Sequence, residues 1–123
     1  MSKNKNLTIQ ETFGLAVKNH QEGKIDIAQE LYNHVLKIDP SHSQSLGNIA
    51  VIFSNLKEHQ KAKECYEKAI KINPNYVKAH YNLGVIFKEL GEHEKAKGCY
   101  EKVIEIDPNY LDAHNNLGVV FKE

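Results

Sequence analysis

Apolar residues return along this chain at intervals of three and four, as in Leu83, Ile86, Phe87 and Leu90 and then in Ala96, Tyr100, Val103 and Ile104. That spacing lines one face of an α-helix. Between the two runs stands Gly91, which tolerates a left-handed or tight turn, and after the second stands Pro108, which cannot continue a helix. The pattern predicts two amphipathic helices folded back on each other as a hairpin. Pro40, Pro74 and Pro108 follow one another at 34 residues, and a shift by that period lays CYEKAIKINPNYVKAHYNLGVIFKE, Cys65 to Glu89, over CYEKVIEIDPNYLDAHNNLGVVFKE, Cys99 to Glu123. A fixed period of this size marks a stack of repeated units, so the chain is expected to be all-α.

The packing residues follow from the same register. Ala28, Ala62 and Ala96 recur in the second helix and let it approach the first, where Ala50, Gly84 and Gly118 recur. Tyr32, Tyr66 and Tyr100 lie four residues after those alanines, on the same helix face, and are expected to fill the space between hairpins. Leu83, Phe87 and Leu117 complete the predicted packing set. Thr8 followed by Glu11 has capping-box spacing and predicts the start of the first helix. The expected divisions are a flexible N-terminus at 1–8, units at 9–42, 43–76 and 77–110, and the first helix of a further unit at 111–123.

The residues at these positions resemble the tetratricopeptide repeat, whose pattern is a bulky residue, Leu-Gly, an aromatic, Ala, an aromatic, Ala and Pro. The third unit carries it in Leu83-Gly84, Phe87, Ala96, Tyr100 and Pro108, with Val103 for the usual alanine; the second in Ile49-Ala50, Phe53, Ala62, Tyr66, Ala69 and Pro74. The first is more divergent, with Leu15-Ala16, Ala28, Tyr32, Val35 and Pro40, and Asn19 where an aromatic is usual. The last runs through Asn116-Leu117-Gly118 and Phe121. His80 and His114 depart from the family by standing where it has a tryptophan or another bulky residue. Lys57 takes the place of the hairpin glycine, which predicts a different or looser turn in the second unit. The resemblance implies a right-handed superhelical solenoid of antiparallel helix hairpins, about three and a half repeats long. It also implies a concave groove, lined by the first helix of each unit, that accepts an extended peptide or a helix.

Charge and chemistry narrow the function. Lys plus Arg and Asp plus Glu number 16 each, so no single-sign field is available for nucleic acid or an anionic membrane. Met1 to Asn6 is polar and precedes no long apolar run, so neither a signal peptide nor a membrane span is expected, and the reading is a cytoplasmic protein. Cys65 and Cys99, one period apart, are read as reduced thiols. Of seven histidines, His59 and His93, like His80 and His114, are one repeat position occurring twice, and none has metal-ligand spacing. The sequence holds no phosphate loop, nucleophile elbow or triad order, so neither enzymatic activity nor a cofactor is expected within it.

Asn48, Asn82 and Asn116 recur two places before the Gly/Ala position. Their amides are expected either to form a ladder along the groove that pairs with a peptide backbone or only to bridge neighbouring helices. The ladder resembles the superhelical arrays of O-linked N-acetylglucosamine transferases and similar enzymes. Lys78, Tyr81, Val85, Lys88 and Asn115 join the asparagines as groove candidates, with Gln44, Val51, Asn55, Asp112, Val119 and Lys122 beside them, and Tyr81 is the expected anchor. The family's chaperone-binding members grip a peptide's C-terminal carboxylate. Asn48 and Lys78 match that clamp, but Phe13, Val17 and Asn82 do not. The expected function is a protein-interaction scaffold for a protein or peptide partner. The alternative is the N-terminal substrate-recognition arm of a larger enzyme such as a glycosyltransferase or another transferase. Because the last hairpin lacks its second helix, either a longer protein or self-association through the uncapped C-terminal end is expected to cover the apolar face.

Overall fold

The computed structural model describes residues 7–122, with side chains to residue 118; the calls on Met1–Asn6, Val119, Phe121 and Lys122 lie outside the described residues or side chains. Among the described residues the chain is seven α-helices: α1 (Ile9–Gln21), α2 (Ile25–Ile38), α3 (Ser43–Asn55), α4 (His59–Ile72), α5 (Val77–Glu89), α6 (His93–Ile106) and α7 (Leu111–Lys122). They pair as hairpins α1–α2, α3–α4 and α5–α6, and each hairpin stacks on the next through α2–α3, α4–α5 and α6–α7. The first helices of the second and third hairpins, α3 and α5, also meet directly. That contact places them on the inner side of a superhelical solenoid.

Helix ends are set locally. Thr8 Oγ1 accepts the Glu11 N–H at 3.0 Å while Glu11 Oε1 accepts the Thr8 N–H at 2.9 Å, so the capping box starts α1 as its spacing requires. At α3 the His42 imidazole does the same work, its Nδ1 accepting the Ser45 N–H at 3.2 Å. Asp39 and Asp107, just before their prolines, turn the chain out of α2 and α6 by accepting the Ser41 and Asn109 N–H groups.

The hairpin turns correct one expectation. Gly23, Lys57 and Gly91 occupy the same place in successive units, with φ of 81°, 63° and 78°. The second turn is thus left-handed like its neighbours, and Lys57 is held in a conformation that its Cβ disfavours. Hydrogen bonds from the Glu58 and Glu92 N–H groups to the Phe53 and Phe87 carbonyls close the second and third turns identically and override the side-chain preference.

The core runs the length of the stack. Ala28, Ala62 and Ala96 and the rings of Tyr32, Tyr66 and Tyr100 are buried, with Leu83, Ile52, Ile86 and Phe87. A Cβ on Gly84 would stand 2.7 Å from the Tyr100 ring and 3.1 Å from Cys99 Cβ, so α5 meets α6 too closely for any other residue. Gly118 differs from this. It is exposed and a Cβ there would meet nothing, because the helix that packs on Gly84 comes after it and α7 has no following helix among the described residues. Leu117 is half-buried. His80 Nε2 donates to the Pro74 carbonyl at 2.7 Å, and His114 Nε2 to that of Pro108 at 2.8 Å. A carbonyl only accepts, so Nε2 carries the proton in both rings. The imidazoles tie the first helix of one unit to the end of the unit before it.

Candidate peptide-binding groove

The inner faces of α1, α3 and α5 enclose two clefts. One, of about 330 Å³, is lined by Val17, His20, Gln21, Tyr32, Asn48 and Lys78. The next, of about 110 Å³, is lined by Val51, Ser54, Asn55, Tyr66, Asn82 and Val85. Asn48 with Lys78, and Asn82 with Val85, are thereby brought together in two successive steps one repeat apart. Each step presents a valine floor, an asparagine and a tyrosine edge. Val17, which breaks the carboxylate-clamp pattern, belongs to the floor of the first cleft.

The asparagines are anchored by hydroxyl groups. Asn48 Nδ2 donates to Tyr32 Oη at 3.3 Å, and that hydroxyl lies 3.1 Å from His20 Nδ1, to which it can donate in turn. Asn82 approaches the Tyr66 hydroxyl in the corresponding position. Burial pushes both phenols above their usual range, and the asparagine contacts offset part of that rise. The Asn48 amide nitrogen is thus engaged within the fold and Asn82 lies against the equivalent phenol, while the carbonyl oxygens of both accept from no described residue. Bridging helices and facing a ligand are compatible roles, because one amide has two ends.

The third step is built differently. Asn116 Nδ2 donates to Tyr81 Oη at 2.9 Å, and Lys88 Nζ reaches Asn116 Oδ1 at 3.5 Å. Tyr81 is half-buried between Tyr100 and Tyr110, with ring centroids 5.8 and 5.2 Å away, so much of its ring is already engaged within the protein. Asn115 is exposed on α7 and lines neither cleft. Gln44 is likewise exposed, and Asp112 lies on an open surface with Asp107, Asn109, Tyr110 and Leu111.

Four participants escaped the sequence reading. His20 and Gln21 line the first cleft from the end of α1, and Ser54 lines the second from the equivalent part of α3. Tyr76 lies over the Gly47 backbone, where a Cβ would stand 2.6 Å from its hydroxyl. A regularity signals that contact: residues 29 apart pair as Phe13 with His42, centroids 4.9 Å apart, then Gly47 with Tyr76, then Tyr81 with Tyr110. Among the described residues no three His, Cys, Asp or Glu side chains could share a metal ion, and no helix is long and apolar enough to cross a membrane. Burial raises both thiols, Cys99 to about 11.

Comparison with known proteins agrees with this architecture. The family pattern described as tetratricopeptide repeat matches residues 43–76 and 77–110, and a second pattern of that description matches 99–123. No curated protein matches the chain. The first TPR of Spaghetti (RPAP3), solved bound to the HSP90 peptide SRMEEVD, superimposes with a TM-score of 0.87 at 28% identity, covering 93% of this chain and 90% of that one. MamA superimposes with a TM-score of 0.89 at 25% identity, covering 98% and 71%. The O-GlcNAc transferase of Thermobaculum terrenum gives 0.83 at 23% identity over 91% of this chain and 22% of that one, a likeness of fold alone.

Proposed function

Because this chain belongs to the tetratricopeptide repeat family, we propose that it is a protein-interaction scaffold that holds an extended segment of a partner protein along the inner faces of α1, α3, α5 and α7. The units at 9–42, 43–76 and 77–110, with the helix from 111, are the steps of this groove. The observation that carries the reading is the repetition of one arrangement in two successive clefts: a valine floor, and an asparagine set beside a buried tyrosine with its oxygen accepting from no described residue. An extended peptide offers an N–H at regular intervals, and a row of fixed acceptors can take those groups without reading side chains. The valines supply apolar contact on either side. The chaperone-type clamp is not the mode proposed, since Phe13 and Val17 offer a C-terminal carboxylate no charge-assisted donor.

A displayed library of random heptapeptides tests this reading. Selected peptides are expected to lose affinity by about tenfold or more when Val51 and Val85 are changed together to lysine, and to be indifferent to Lys68→Glu on the outer face of α4. Binding that survives the valine changes and is lost with Lys68→Glu would place the ligand on the convex side and overturn the assignment.

A further inference from the structure

Asn48 and Asn82 meet Tyr32 and Tyr66, in each case the tyrosine sixteen residues earlier in the chain. The equivalent partner of Asn116 is Tyr100. Asn116 instead bridges Tyr81 Oη and Lys88 Nζ, and the Tyr100 hydroxyl, buried, has no hydrogen-bond partner among the described residues. A buried hydroxyl without a partner is unfavourable, so a competing interaction has drawn the amide away. That competition exists only in the third unit. The positions equivalent to Tyr81 are Phe13 and Gly47, neither of which carries a hydroxyl.

The two groups that hold Asn116 are both able to donate. Lys88 is a cation with no carboxylate in ion-pair reach among the described residues, and the Tyr81 hydroxyl accepts from Asn116 while none of the described residues accepts its own proton. A carboxylate has the size and planarity of the carboxamide that now spans them, but offers acceptors at both ends and a negative charge to Lys88. We propose that Tyr81 and Lys88 form a carboxylate site of the groove, occupied in the free protein by the Asn116 amide. An Asp or Glu side chain of a bound peptide displaces that amide, which then turns to Tyr100 and gives the buried hydroxyl its partner. The inference rests on the groove reading and adds a ligand class to its third step: acceptor oxygens face the peptide at Asn48 and Asn82, and donors face it at Tyr81 and Lys88.

Acetate is the probe, because its binding does not depend on knowing the peptide. In heteronuclear spectra of the isotope-labelled chain, acetate is expected to shift the Asn116 side-chain amide with a Kd on the order of tens of millimolar, while acetamide leaves it in place. Tyr81→Phe and Lys88→Met should each abolish the acetate response. Asn116→Ala, which removes the occupant, should bind acetate at least as well as the parent chain, read from Lys88 and Tyr81 resonances. Tyr100→Phe, which removes the place to which the amide returns, should weaken it by roughly three- to tenfold without touching the site. Shifts spread evenly over the surface lysines, or unchanged in Tyr81→Phe and Lys88→Met, would overturn the proposal. Failure of acetate with library peptides still bound in the valine-floored clefts would remove this site and leave the groove reading standing.

Discussion

Three tyrosines at one repeat position have unlike hydroxyl environments. Tyr32 Oη accepts from Asn48 and lies against His20, whereas Tyr100 Oη is buried with no partner among the described residues. Tyr32→Phe should therefore destabilise the chain by about 1 kcal/mol, and Tyr100→Phe should be neutral within about 0.5 kcal/mol or slightly stabilising. Urea denaturation of the two variants side by side checks the contrast, and equal losses would mean that Tyr100 has a partner after all. The rings of all three were legible in the sequence, since an aromatic four residues beyond a recurrent alanine lies on the buried face of a helix. The hydroxyl partners were not, because they depend on rotamers across two hairpins.

Within the hairpin, backbone geometry outweighs side-chain preference. Lys57 adopts φ 63° in a turn whose counterparts are glycines, so Lys57→Gly should raise stability by about 1 kcal/mol, offset in part by the greater freedom of glycine in the unfolded chain. A thermal or chemical unfolding midpoint that falls in this variant would contradict the account. Sequence reading located the turn from the period and erred only on its type. The hydrogen bonds that close the turn belong to the backbone and are the same in the second and third hairpins, so a lysine at the bend is carried into the left-handed region. His80 and His114 teach a related lesson. They fill the place of a bulky family residue, and what they add, a donor to the preceding proline carbonyl, appears only once the two helices are packed.

Across the whole stack, burial of phenols and thiols links stability to alkaline pH. Tyr32, Tyr66, Tyr100, Cys65 and Cys99 all have their pKa raised by burial, Cys99 to about 11 from an unfolded value of 9.0. Above pH 9.0 for the thiols and 10.0 for the phenols the unfolded chain releases protons that the native chain keeps. The unfolded state then binds fewer protons, so stability is intact below that range and falls as pH rises through it. The urea midpoint should thus hold level from about pH 7 to about pH 8.5 and decline by about pH 10.5. A midpoint unchanged at the upper value would show that the buried groups ionise freely in the native state.

The number of helices, their order, the bends between them and the alanine and tyrosine core follow from a 34-residue period and helical spacing, which are local properties that survive repetition. The candidate groove was half legible for the same reason: Asn48, Lys78, Asn82 and Val85 mark it by recurrence, while His20 and Gln21 do not recur. Tertiary structure alone decided that Tyr76 lies over Gly47, that a Cβ at Gly84 would meet Tyr100 while one at Gly118 would meet none of the described residues, and that Asn116 turns to Tyr81 rather than Tyr100. Each of those outcomes is a choice among near neighbours on different helices, separated by an ångström or by one hydroxyl group, and a one-dimensional pattern has no term for such distances.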